Sequence, residues 1–132
     1  NSSVREALAE VDVLPLAKRS SHHLSVGEKR RVSIATVLSM KPGIIVLDEP
    51  SSNLDPRHRR ELIDLLNRLR MTKVIATHDL PLVWETCDRV ALMDGGRLCA
   101  VGETRAILSD ESLMEAHDLP MPYVRMERGK SK

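Results

Sequence analysis

The sequence predicts an α/β domain built on a mostly parallel sheet flanked by helices, ending in a C-terminal β-hairpin. Three observations lead there. Ile44 to Leu47 is a continuous apolar run, the pattern of a parallel strand covered on both faces. Lys73 to Thr77 is a second strand-like run. Segments with helical caps and helical spacing precede and separate the two, so helices alternate with strands.

The elements follow in order. Val4 to Val13 has helical spacing, with Val4, Leu8 and Val11 on one face, and Pro15 ends it. Lys18 to His23 is a polar loop. Ser25-x-x-Glu28 has the form of a capping box, so a helix begins there and runs to about Met40, where Pro42-Gly43 breaks it. After the first strand, Asp55 is placed as an N-cap with Pro56 at the first helical position, and Leu62, Leu65, Leu66 and Leu69 form the buried stripe. Beyond the second strand, Leu82 to Cys87 reads as a short helix. Arg89 to Met93 and Leu98 to Val101 flank Asp94-Gly95-Gly96-Arg97, and paired glycines between apolar runs signal a type I′ hairpin. Glu103 to Leu108 and Glu111 to His117 read as helices, and the tail from Leu119, with two prolines and a charged end, as extended or disordered.

Bulk properties set the limits. A chain of 132 residues is long enough for one domain with a buried core, and its 42% hydrophobic and 30% charged content is that of a globular protein. Trp84 and Tyr123 are its only aromatic residues, so the core is aliphatic. A formal net charge of +1 gives no electrostatic reason to expect nucleic acid. Cys87 and Cys99 have no metal or redox spacing and read as free thiols of a reducing compartment. No apolar run approaches the roughly 20 residues needed to cross a bilayer, so a membrane role comes through a partner protein.

The chemistry concentrates at three places. Asp48-Glu49 ends a buried strand, and open α/β sheets bind ligands beyond the carboxyl ends of their strands. The helix beginning at Ser25 offers free N–H groups and a positive dipole end, a ready site for phosphate. His78 follows the neighbouring strand, and parallel pairing would place it close to Glu49. Other features are bland. Lys29-Arg30-Arg31 and Arg57 to Arg60 read as solvated faces, and His22-His23 lacks further ligands at metal spacing. Gly129-Lys130-Ser131 is not a phosphate-binding loop, because the upstream glycine position holds Val124 and no strand precedes it.

Leu24-Ser25-Val26-Gly27-Glu28, then Ile44 to Glu49, then Ala76-Thr77-His78-Asp79, in that order and spacing, resemble the second half of an ATP-binding cassette (ABC) ATPase, the motor subunit of ABC transporters. The likeness implies the C-terminal portion of a P-loop NTPase domain. It runs from about Val4 to Pro122 and divides the chain into a helical signature segment (1–42), a segment from the strand carboxylates through the switch histidine to the C-terminal helices (43–118), and a tail (119–132). It implies that Asp48 helps hold Mg²⁺, that Glu49 is the general base, and that His78 contacts the γ-phosphate and the catalytic water. Ser25, Val26, Gly27 and Glu28 then form the signature contact to ATP bound mainly by a second subunit, which Ser52, Asn53 and Asp55 also touch. Val26 and Glu28 depart from the usual Leu-Ser-Gly-Gly-Gln. The form Leu-Ser-x-Gly-Glu-Lys-Arg-Arg-Val is nonetheless familiar in cobalt, nickel and vitamin importers of the energy-coupling type, and Cys87-Asp88-Arg89-Val90, Ile107 to Asp110 and Glu115-Ala116-His117 resemble the same group.

The resemblance therefore implies an ATP-hydrolysing importer subunit on the cytoplasmic face of the cell membrane. Its partners would be a second ATPase subunit and an integral membrane subunit. No Gly-x-x-x-x-Gly-Lys-Ser/Thr occurs, so the chain is expected to be the C-terminal part of a larger subunit, inactive alone. Strands that pair with upstream ones in the family would then leave an apolar face and an edge bare, and the chain is expected to self-associate. Two other classes share parts of this pattern. One is the C-terminal lobe of a DNA-repair or chromosome-maintenance ATPase, against which stands the lack of a heptad coiled coil before Leu24. The other is a non-catalytic interaction module, against which stand the intact Asp48, Glu49 and His78.

Overall fold

A computed structural model describes residues 2–121, so the tail beyond Met121, with Tyr123 and the Gly129-Lys130-Ser131 triplet, lies outside the described residues. The chain forms two compact units, 1–76 and 77–132.

The first unit holds α1 (Ser2–Glu10), α2 (Val26–Leu38), β1 (Ile44–Asp48), α3 (Pro56–Arg68) and β2 (Thr72–Ala76). Pro15 sits in a single 3₁₀ turn, Leu14–Leu16, because its fixed φ suits the start of a turn while its missing N–H ends a helix. α2 starts where its capping box requires, since Ser25 and Glu28 bond reciprocally. α3 starts after Asp55, with Pro56 at its first position. Its predicted stripe is buried: Leu62, Leu65, Leu66 and Leu69 are each 3% exposed or less, and Ile63 joins them. Burying one such leucine stabilises the fold by about 1.5–3 kcal/mol. α1 packs against α2, and the Arg68 guanidinium reaches Asp12 at 2.6 Å to tie the end of α3 to the turn after α1.

β1 and β2 pair in parallel, from Ile44 opposite Thr72 to Asp48 opposite Ala76. The pair is covered on one face only, which corrects the two-sided burial expected of β1. Ile45 is buried, but Ile44, Val46 and Val74 are 59%, 71% and 53% exposed. Successive strand residues point to opposite faces, so these three share the bare one. An exposed apolar face of this kind is what the likeness to a longer ATPase domain predicted. Among the described residues the sheet has two strands, and both outer edges are unpaired.

The second unit holds α4 (Leu80–Thr86), β3 (Arg89–Asp94), β4 (Arg97–Glu103), α5 (Thr104–Leu108) and α6 (Glu111–Ala116). β3 and β4 form the antiparallel hairpin, and Gly95 and Gly96 take φ of 52° and 74°, the double positive φ of a type I′ turn. The core is aliphatic as expected: Leu80, Val83, Leu108 and Met114, with Cys87, Val90 and Ile107 against them. Trp84 lies at its margin, capped by the Arg105 guanidinium 5.1 Å above the ring. Thr104, the buried polar residue here, is satisfied by its hydroxyl donating to the Cys87 carbonyl at 2.7 Å.

Candidate functional site

The strand carboxylates come first. The parallel ladder runs one residue past β1, where the Glu49 N–H donates to the Ala76 carbonyl at 2.8 Å. Asp48 is exposed at the strand's end and Glu49 half-buried. At Glu49 the chain turns sharply with φ of +42°, a left-handed conformation that costs an L-residue roughly 1–2 kcal/mol. Non-glycine strain of this kind persists only where the surroundings enforce it, and it gathers at functional sites. Pro50 is fully buried behind the turn. Two tight turns follow, the Ser52 N–H to the Glu49 carbonyl at 3.1 Å and the Leu54 N–H to the Ser51 carbonyl at 3.2 Å, with Asn53 also at positive φ.

That loop delivers Asp55, whose two carboxylate oxygens both hold His58. Oδ1 accepts the His58 backbone N–H at 3.0 Å, and Oδ2 lies 2.6 Å from the ring Nδ1. These bonds hold the Asp55 carboxyl below its usual value.

The start of α2 is the second component. The Ser25 Oγ accepts the Glu28 N–H at 3.2 Å, and a Glu28 carboxylate oxygen accepts the Ser25 N–H at 2.7 Å. The bonds from Ser25 hold the Glu28 carboxyl below its usual range. Both partners of the box are thus engaged with each other, and the Val26 and Gly27 amides are the first-turn donors outside it. Val26 is exposed and Gly27 buried.

The two components meet. The Arg30 guanidinium donates to the Ser52 carbonyl at 3.4 Å, and Arg31 pairs with Glu61, which also takes Arg57 Nε at 3.2 Å. The His58 ring lies against Gly27, where a Cβ would stand 2.5 Å from Cδ2. The structure therefore brings Ser25 to Glu28 beside Ser52 to Asp55. Arg30 and His58, read in the sequence as parts of solvated basic runs, are the residues that join them, while Arg31 ties α2 to α3 through Glu61. The available signal was local: His58 stands three residues after an aspartate N-cap and Glu61 four after Arg57.

His78 belongs to the second unit, two residues after Ala76, the register partner of Asp48. It is exposed, and its carbonyl accepts the Leu80 N–H at 3.0 Å. Asp79 caps α4 by accepting the Leu82 N–H at 3.0 Å, while its own N–H donates to the Thr77 hydroxyl at 3.1 Å. Among the described residues no three His, Cys, Asp or Glu side chains cluster as a preformed metal cage.

Comparison with known proteins fits this arrangement. Residues 1–52 match the ABC transporter family profile. A putative ABC transporter ATP-binding protein of Streptomyces coelicolor is 51% identical over 120 residues, which is 91% of this chain and 46% of that protein. The energy-coupling factor transporter ATP-binding protein EcfA of Carboxydothermus hydrogenoformans is 44% identical over 124 residues, covering 92% and 46% respectively. The solved structure of cbiO1 from Clostridium perfringens, part of the ABC transporter complex cbiONQ, superposes with a TM-score of 0.77 at 34% identity, covering 96% of this chain and 52% of that one. The chain thus spans about half the length of the relatives it matches, and over that span it is similar to part of an ABC transporter ATP-binding domain.

Proposed function

We propose that this chain is the C-terminal portion of an ATP-hydrolysing subunit of an ABC importer of the energy-coupling type, with cobalt, nickel or another micronutrient as cargo. The observation that carries the reading is the turn at Glu49, where a strand ends in an exposed aspartate and a glutamate held in a strained conformation. Mg²⁺ sites use one or two carboxylates together with waters and substrate phosphates, so a single exposed Asp48 fits that ion without a preformed cage. Bound there, the ion neutralises phosphate charge.

In this reading Glu49 takes a proton from the attacking water, and His78 contacts the γ-phosphate and that water. Ser25 and Gly27, flanked by Val26 and Glu28, approach the nucleotide held by a second ATPase subunit, while Ser52, Asn53 and Asp55 border that subunit. Closure of the two subunits around ATP then drives an integral membrane partner. A peripheral place on the cytoplasmic face of the membrane accords with the described residues, none of whose helices is long and apolar enough to cross a bilayer. The names of some relatives support the energy-coupling type. The micronutrient cargo rests on the sequence resemblance alone.

No Gly-x-x-x-x-Gly-Lys-Ser/Thr loop occurs in this sequence, so the chain alone is expected to bind Mg-ATP weakly and turn it over at no measurable rate. The test joins this chain to the remaining portion of the Streptomyces coelicolor relative. Glu49→Gln should then lower turnover by about 10²-fold or more and leave ATP binding intact. Undiminished turnover would remove Glu49 from the base role.

A further inference from the structure

We infer that His58 is a positioning residue: its ring, gripped by Asp55, is the seat on which the first turn of α2 rests, and it fixes Ser25 to Glu28 against the Ser52 to Asp55 loop. This deepens the function proposed above and rests on it wherever nucleotide is concerned.

The grip is two-handed. Both oxygens of the Asp55 carboxylate hold the same residue, one through its backbone N–H at 3.0 Å and one through ring Nδ1 at 2.6 Å. These two bonds hold the Asp55 carboxyl below its usual value. The ring is thereby held in position against the start of α2.

Gly27 is the other half of the contact. It lies inside a regular helix rather than at a positive φ, so backbone conformation does not call for glycine. Close approach does. A Cβ would meet Cδ2 at 2.5 Å, Cγ at 3.0 Å and Nε2 at 3.3 Å, and the Asp55 bond stops the ring from retreating. Glycine within a helix disfavours folding relative to alanine, and the seat gives this position a structural reason for that cost beside the approach to nucleotide proposed above. Arg30 on the Ser52 carbonyl reaches the same loop from the next turn of α2, and Arg31 on Glu61 ties α2 to α3 beyond it. The turn and the loop are thus held together as one body, and displacement of either displaces the other.

The experiment is a double-mutant cycle on the full chain, read by urea unfolding and by amide NMR spectra. In a free helix Gly→Ala raises the folding constant about two- to five-fold. With His58 present, Gly27→Ala should instead lower it; with His58→Ala, the same change should raise it. A sign that does not reverse overturns the inference. For position, Mg-ATP is titrated into the chain completed with the remaining portion of the Streptomyces coelicolor relative, as in the Glu49→Gln test, and the Val26, Gly27 and Asn53 amides followed. In the completed parent chain these signals should shift with one common midpoint. In His58→Ala the Gly27 response should be lost, and His58→Gln, a planar donor within reach of Asp55, should recover it. A Gly27 response unaltered in His58→Ala overturns the positioning role and leaves the nucleotide reading standing. No amide response in the completed parent chain, with the sign reversal intact, supports the seat and removes the nucleotide reading instead.

Discussion

Three side chains at the start of α2 and α3 carry most of the local order of the candidate site, and each acts through hydrogen bonds to backbone. Ser25→Ala removes the acceptor for the Glu28 N–H and should cost about 1 kcal/mol, read as a lower urea midpoint with unchanged slope. The Glu28 and Asp55 carboxyls are both lowered, by bonds from Ser25 and from His58 respectively. A carboxyl lowered in the folded state gives stability that is full above its unfolded value and is lost as pH falls through its folded value. Acid should therefore loosen the starts of α2 and α3 below about pH 4, near the ordinary carboxyl values. The check is amide exchange of residues 26–28 and 56–58 between pH 5 and 3, and constant protection would refute it. Glu49→Gly should stabilise the chain by roughly 1 kcal/mol while deleting the carboxylate, because glycine takes φ of +42° without strain. A lowered melting temperature would show that Glu49's bonding outweighs its strain. The caps were legible in the sequence because donor and acceptor lie three residues apart. The seat of Gly27 on His58 was not, because the two stand 31 positions apart (58 − 27) and only tertiary packing joins them.

Among the elements, α3 shows the pattern the sequence carries best. Its cap, its first-turn proline and its leucine stripe are all local or periodic signals, and all appear as read. Leu66→Ala at a fully buried position should cost about 2–5 kcal/mol, measured by urea or thermal unfolding; less than 1 kcal/mol would mean the site collapses around the cavity. The hairpin was equally legible, since two consecutive glycines declare a turn that few other residues can make. β1 was legible as a strand but not in its surroundings. Ile44 to Leu47 has the composition of a strand covered on both faces, whereas Ile44 and Val46 are exposed. Composition records the environment a strand is suited to, and what packs on it depends on chain that these residues do not specify.

For the whole molecule, the bare face of the parallel pair is the dominant liability. Ile44, Val46 and Val74 lie together beside two strand edges that are unpaired among the described residues, the arrangement that other proteins cover or charge. The chain should self-associate at high concentration, and Val46→Lys should shift sedimentation toward the monomer. A parent chain sedimenting as a clean monomer would refute this. The same residues are where the remainder of a complete subunit would pack under the proposed function. The parallel ladder also has a consequence in time. Its strand partners, its crossover helix and the turn at Glu49 all lie between Ile44 and Ala76, so nothing made later is needed to close it. At about 5–20 residues per second, a ribosome releases that stretch within a few seconds, ahead of the hairpin. The β-α-β unit can fold on the nascent chain, and under the proposed function the portion that covers its valine and isoleucine side chains is made before it, so that face can be covered as soon as the strand pair forms.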